Sequence, residues 1–258
     1  MKNIKVTAYA DDFAILLSEK NFNQLTAVAN NVFDKLTEWS YDNGLLLNVK
    51  KTKIMMFGNN VGDQCSLLLR NKDVEQVNSF RYLGLCINGK LDWNLHVNEV
   101  TKRLNRTIFL FRQLRHSFTQ DHLIIFYRAI FESVLRYGLC FWGQSKQIHR
   151  VLILQKRCLR TILFLKPKTS CREVFKKHQI HTVFNLIILE TYKFVLSSNN
   201  MFLKNSDLHF YNTRQKENLQ LQTSNKHLSH FIKIFNKIPL SIRSESNSMS
   251  KLKKSSEK

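Results

Sequence analysis

The sequence predicts an α+β fold: small antiparallel β-hairpins with one helix over residues 1–90, followed by an all-helical remainder. Short apolar runs before residue 90 are broken by Asp, Asn and Gly, the punctuation of hairpins. From Trp93 onward apolar residues recur at three and four, the helical period. Only seven Gly and two Pro interrupt 258 residues, which favours helices over a β-sandwich.

The first hairpin is Thr7-Ala8-Tyr9-Ala10-Asp11-Asp12-Phe13-Ala14-Ile15-Leu16-Leu17, two adjacent carboxylates between apolar arms. Ionised neighbours repel and Asp has low β-propensity, so the pair belongs at a tip and not inside a strand. A bare Asp-Asp is more often a solvated turn. Paired acids on a rigid tip also suit a hard divalent cation, which takes oxygen ligands and shares other positions with water and substrate phosphates. Two such ions about 3.5–4 Å apart stabilise the attacking and leaving oxygens of a nucleotidyl transfer.

Phe22, Leu25, Val28, Val32, Phe33, Leu36 and Trp39 then predict one amphipathic helix between Ser18 and Gly44, packed on the hairpin. Residues 44–57 (Gly-Leu-Leu-Leu-Asn-Val-Lys-Lys-Thr-Lys-Ile-Met-Met-Phe) read as a helix stop, a strand, a basic turn and a second strand. Leu67 to Leu69, a turn at Asn71-Lys72-Asp73, and Val74 to Val77 read as a hairpin. It leads into Phe80-Arg81-Tyr82-Leu83-Gly84-Leu85-Cys86-Ile87, where a strand glycine permits close backbone approach.

Asp92 is placed to cap the next helix, whose stripe is Trp93, Val97, Val100, Leu104, Ile108, Phe111 and Leu114. Lys102, Arg103, Arg106, Gln113 and Arg115 lie largely off that stripe, as a phosphate-contacting or simply solvated face. A second helix is expected from about Thr119 to Tyr137, with Leu123, Phe126, Ile130 and Val134 inward, before an aromatic turn at Phe141-Trp142-Gly143. A third carries Ile148, Val151, Leu152, Cys158, Leu159 and Ile162, with Lys156, Arg157 and Arg160 as its basic side and Pro167 closing it. Ser170-Cys171-Arg172-Glu173 opens a fourth helix with the spacing of a capping box, and the apolar segment Val183 to Leu196 is expected as a fifth, buried helix. Residues 244–258 are polar and low in complexity and are expected to be disordered.

Charge is distributed unevenly. Residues 1–60 hold seven Lys and six acids, whereas residues 61–258 hold 33 bases and 13 acids. A strongly basic region argues for a polyanionic partner, because Lys and Arg contacts to backbone phosphates supply most non-specific nucleic-acid affinity. The five cysteines (Cys65, Cys86, Cys140, Cys158, Cys171) are odd in number and widely spaced, which argues against a structural zinc site or disulfide framework. No signal peptide or membrane-spanning run is evident, so a soluble intracellular protein is expected, with nucleus and cytoplasm equally open.

Three ordered blocks carry a family resemblance. Tyr9-Ala10-Asp11-Asp12 with its apolar arms resembles the palm motif of reverse transcriptases. Residues 44–52 resemble the "G-L-x-L-N-x-x-K-T" block that follows it in non-LTR retrotransposon enzymes. Tyr82-Leu83-Gly84 is similar to their primer-grip hairpin. The stretch from Leu-Gln-Lys-Arg (154–157) through Ser-Cys-Arg (170–172) to Tyr-Asn-Thr-Arg (211–214) and Phe-Asn-Lys-Ile-Pro (235–239) also looks like the C-terminal region of jockey-like elements.

The resemblance implies an RNA-directed DNA polymerase using Mg²⁺ or Mn²⁺, with an RNA template, a DNA primer and deoxynucleotides as partners. It makes Asp11 and Asp12 catalytic metal ligands and Lys51 a catalytic group near the nucleotide's phosphates, serving as a point charge or as proton donor to the leaving pyrophosphate. Tyr9, Tyr82, Leu83, Gly84, Lys102, Arg103 and Arg106 become nucleic-acid contacts. Residues 1–90 become a partial palm, 91–165 a basic thumb-like region, 166–243 a helical C-terminal region and 244–258 a tail. Reverse transcriptases place fingers and a further metal-binding Asp ahead of the hairpin, whereas eight residues precede Tyr9. The resemblance thus implies an N-terminally truncated chain, inactive alone, able to pair with a missing palm and fingers half. The alternative is a non-catalytic basic helical module holding RNA or DNA backbone.

Overall fold

The computed structural model describes residues 4–58, 66–70, 72–198, 201–208, 210, 211, 213–221 and 226–243. The expected turn residue Asn71, Cys65, Asn212 and the tail expected to be disordered lie outside the described residues. The chain divides into two compact units, residues 1–92 and 93–258. The first is mixed α/β with small strand pairs; the second is helical.

In the first unit, β1 (Ile4–Tyr9) and β2 (Asp12–Leu17) form an antiparallel hairpin in register from Ile4 opposite Leu17 to Tyr9 opposite Asp12. Helix α1 (Phe22–Asp42) is N-capped by Asn21, not Ser18: the Asn21 side chain accepts from the Asn23 N–H at 2.9 Å. Its end is a Schellman motif, with Leu45 N–H donating to Ser40 O, Gly44 N–H to Tyr41 O, and Gly44 at φ +67°. Buried Ala29 and Leu67 centre the core, with Leu17, Phe22, Phe33, Ile54 and Met56 against them. Trp39, read as part of the inward stripe, is 46% exposed and meets Phe13 edge-on at 6.0 Å.

The strands that follow are shorter and differently paired than expected. Residues 45–49 form no strand; β3 is only Lys53–Ile54. β4 (Leu68–Leu69) pairs antiparallel with β5 (Lys72–Asp73), so Lys72 and Asp73 are strand and not turn. β6 (Glu75–Gln76) leaves that hairpin and pairs with β3 in parallel, held by a Lys53–Glu75 ion pair directly across the register. An all-antiparallel reading misses this pair because two-residue strands carry no periodicity. β7 (Ser79–Tyr82) and β8 (Leu85–Asn88) form the last hairpin.

In the second unit, α2 (Asn94–Leu114) buries Val97, Val100, Leu104, Ile108 and Phe111, as its spacing predicts. Its N-cap is Trp93, at φ +62°, one residue after the expected Asp92. The expected helix 119–137 is three segments: α3 (Gln120–Phe126), a π-helical stretch Tyr127–Glu132, and α4 (Ser133–Arg136). The wider π turn shifts the register, so that Tyr127, Phe131 and Leu135 are fully buried and Ile130 is turned out, 38% exposed. α5 (Leu139–Trp142) replaces the aromatic turn.

α6 (Ile148–Ile162) lies alongside α2 in the same direction: Asn94 meets Ser145, Asn98 meets Arg150, and Arg115 lies over the Phe164 ring. It ends at Ile162, five residues before Pro167, and Phe164 takes φ +55°. α7 (Arg172–Lys177) follows Cys171 at its N-cap with no side-chain cap, so the capping box does not form; the Ser170 hydroxyl accepts from Arg172 N–H instead. α8 (Val183–Ser197) is capped by Thr182. α9 (Lys226–Asn236) places Phe231, Ile232 and Phe235 in a cluster with Val195, Phe202 and Leu219.

Candidate catalytic hairpin and nucleic-acid face

The β1–β2 turn has two central residues, Ala10 and Asp11, and Ala10 takes φ +52°. Short hairpin turns need positive φ at the first central position to match the strand twist, a conformation glycine adopts without strain. Asp12 opens β2 directly opposite Tyr9, so their side chains share one face of the ribbon. Asp11, Asp12 and Tyr9 are all exposed, Tyr9 at 67%. The tip therefore presents two consecutive carboxylates and one aromatic ring to solvent.

Lys51 lies in a turn that Asn48 organises. The Asn48 side chain accepts from Lys51 N–H at 3.2 Å, and its carbonyl accepts from Thr52 N–H at 3.0 Å and the Thr52 hydroxyl at 2.9 Å. Lys51 itself is exposed. Asn48 and Thr52 are thus the scaffold of this turn, a role that sequence reasoning did not assign them. The signal was within the Gly44–Thr52 block, whose Asn stands three residues before the lysine and four before the threonine, where an Asn side chain and carbonyl can bond locally to the following turn.

Tyr82, Leu83 and Gly84 meet at the β7–β8 tip. Tyr82 and Leu85 are opposed, leaving Leu83 (φ +44°) and Gly84 (φ +78°) as the two central residues of a primed turn. Gly84 is a turn residue and not the strand residue expected; it supplies positive φ. Leu83 is exposed at 36%.

Lys102, Arg103 and Arg106 are exposed on α2, opposite buried Val100, Leu104 and Ile108. Helical spacing puts them on one side of the rod. They belong to the second unit, whereas the two hairpin tips and the Lys51 turn belong to the first.

Among the described residues no group of three or more His, Cys, Asp or Glu is placed to hold a metal ion. The donor chemistry of Asp11 and Asp12 fits a hard cation that completes its shell with water and phosphate oxygens. The four described cysteines are free thiols, and burial pushes Cys140 up to about 11 and raises Cys158 and Cys171. Among the described residues no helix is long and apolar enough to cross a membrane.

The chain is 23% identical over 166 residues to the "RNA-directed DNA polymerase from mobile element jockey" of Drosophila melanogaster, and 21% identical over 164 to that of Drosophila funebris. Each match covers 62% of this chain and 18% of the relative. A protein of Nasonia vitripennis, "Retrovirus-related Pol polyprotein from type-1 retrotransposable element R1 3", is 24% identical over 66% of this chain and 48% of its own length. The chain resembles jockey and R1 retrotransposon proteins. It spans under a fifth of the jockey polymerases and about half of the R1 protein. No family model matches, and no solved structure does.

Proposed function

We propose that this chain is part of an RNA-directed DNA polymerase of a mobile element, in which Asp11 and Asp12 hold divalent metal. The observation that carries the reading is the β1–β2 tip, which presents adjacent exposed carboxylates, Asp11 in the two-residue turn and Asp12 at the start of β2. The similarity to the jockey polymerases supports it. Mg²⁺ or Mn²⁺ bound there supplies Lewis-acid activation of a primer hydroxyl and charge neutralisation on the incoming triphosphate.

In this reading residues 1–90 act as palm, 91–165 as thumb and 166–243 as the C-terminal region. Lys51 stands as a point charge near the triphosphate. The Leu83–Gly84 turn and the Tyr9 ring steady the primer end, where an exposed backbone tip approaches a strand closely. Lys102, Arg103 and Arg106 contact phosphates without reading sequence. RNA template, DNA primer and deoxynucleotides are the partners. Val6 and Leu16, exposed at 56% and 54% on the β1–β2 hairpin, would meet further palm strands, as the outer edges of a two-stranded sheet invite pairing.

A second reading, a basic module that holds backbone without catalysis, is favoured by the 33 bases against 13 acids after residue 60. Titrating a primer–template duplex with and without Mg²⁺ separates the two. The polymerase reading expects a Mg²⁺-dependent component of binding that Asp11→Asn and Asp12→Asn abolish. Salt-sensitive binding indifferent to Mg²⁺ and to both substitutions favours the second, and no binding contradicts both.

A further inference from the structure

Between α6 and α7 lies a cleft of about 410 Å³ lined by Lys156, Arg160, Arg172, Lys176, Ser170 and Phe175, among others. Its four charged lining residues are all cations; no acid lines it. Lys156 and Arg160 are one helical turn apart on α6, and Arg172 and Lys176 are one turn apart on α7. Each pair therefore stands on one face of its helix, and the two faces converge on the same space.

Like charges at this spacing repel, and two such pairs facing each other repel further, so the arrangement costs stability without a counter-charge. The geometry is nonetheless held. Arg160 donates its Nε to Thr169 O at 2.9 Å, fixing the guanidinium against the loop that leads into α7. Cys171 is buried at 3% exposure beside them. Burial raises its thiol, while the Arg160 and Lys156 charges pull the other way, so both cations are close enough to act on this one point. Glu173, the acid on α7, pairs with Lys176 at 3.6 Å on an exposed surface and does not line the cleft.

We propose that the α6–α7 cleft is a phosphate-binding site for the backbone of a nucleic acid, separate from the exposed cations of α2. Several cations spread along an open cleft suit successive phosphodiesters better than one compact anion. Ser170 and Thr182 add hydroxyl donors to the lining, and Phe175 and Phe184 add apolar walls. The site does not depend on the carboxylate hairpin, which lies in the other unit.

The test is fluorescence anisotropy of a labelled oligonucleotide with the full chain over a salt series. With a duplex DNA probe, the quadruple variant Lys156→Gln/Arg160→Gln/Arg172→Gln/Lys176→Gln should lower the magnitude of the slope of log K against log salt by about 2–4, at about 0.9 for each phosphate left without a cation. A control removing four exposed cations elsewhere in the unit, Arg214, Lys216, Lys233 and Lys237, should lower it by less than half as much. Circular dichroism checks that both variants fold, and the pair Lys156→Gln/Lys176→Gln serves if the quadruple does not. Equal decreases in the cleft and control variants would overturn the proposal, as would inorganic pyrophosphate displacing the oligonucleotide at equal phosphate concentration. Asp11→Asn/Asp12→Asn should leave the cleft-dependent slope unchanged, so failure of the polymerase reading shows as a separate result.

Discussion

The Gln155 side chain donates to the Tyr127 hydroxyl at 2.8 Å inside the helical unit, where both residues are fully buried. Its amide nitrogen also reaches His181 O at 2.8 Å, and its oxygen accepts the Val183 N–H at 2.9 Å. One side chain therefore ties α6 to the π-helical stretch and satisfies an orphan donor in the first turn of α8. Gln155→Leu keeps the volume and strands three polar groups, each costing about 1–3 kcal/mol if unsatisfied. A loss of about 3 kcal/mol is expected, read as a lower urea midpoint at unchanged m-value.

Gly143 sits where α5 approaches α8. A Cβ there would lie 2.6 Å from Leu139 O and 2.7 Å from Ile187 Cγ1. The backbone oxygen cannot swing aside as a side chain would. Gly143→Ala should therefore destabilise by about 1–3 kcal/mol, the range for overpacking a core, measurable as a fall in melting temperature. The same substitution at Gly58, where a Cβ meets nothing but φ is +84°, tests backbone strain alone.

The Asn48 turn predicts a separable effect. Asn48→Ala removes the acceptor for Lys51 N–H and should cost about 0.5–1.5 kcal/mol. Thr52→Val removes the hydroxyl donor to Asn48 O at a similar cost. A double-mutant cycle by chemical denaturation should show coupling, because both substitutions loosen the same short turn.

Stability should fall in alkali. Burial raises Cys140 from 9.0 to about 11 and holds Cys158 and Tyr127 above their ordinary values. For Cys140, the unfolded thiol loses its proton first, so its contribution is intact below about 9 and is lost as pH rises toward 11. Cys140 alone should account for about 2 kcal/mol. Urea midpoints at about pH 8 and about pH 10.5, either side of the unfolded thiol's titration, should differ, and Cys140→Ala should reduce the difference.

How far the sequence revealed this molecule depended on element length. α2 and α8 followed their apolar spacing to within a residue or two, since long amphipathic helices are fixed by burying one face. The carboxylate tip was legible because adjacent Asp residues between apolar arms fit a turn better than a strand. The parallel Lys53–Glu75 pairing was not, since it joins two-residue strands far apart in sequence. Nor was the π turn at Tyr127–Glu132, whose extra residue per turn moves Ile130 outward and Phe131 inward. α9 lies within the stretch 166–243 read as helical, and its Leu228, Phe231, Ile232 and Phe235 carry the i, i+3, i+4, i+7 signature that fixes its inward face. The cationic cleft needed tertiary structure, because Arg172 and Lys176 meet Lys156 and Arg160 only when α7 folds back on α6.

The central claim is that Asp11 and Asp12 together hold divalent metal beside a bound primer end. The most direct measurement is Mn²⁺ binding, followed by electron paramagnetic resonance, to the full chain with a primer–template duplex. The account predicts a Mn²⁺ population that appears with wild type and is lost in both Asp11→Asn and Asp12→Asn. Mn²⁺ uptake identical in the wild type and both variants would contradict it.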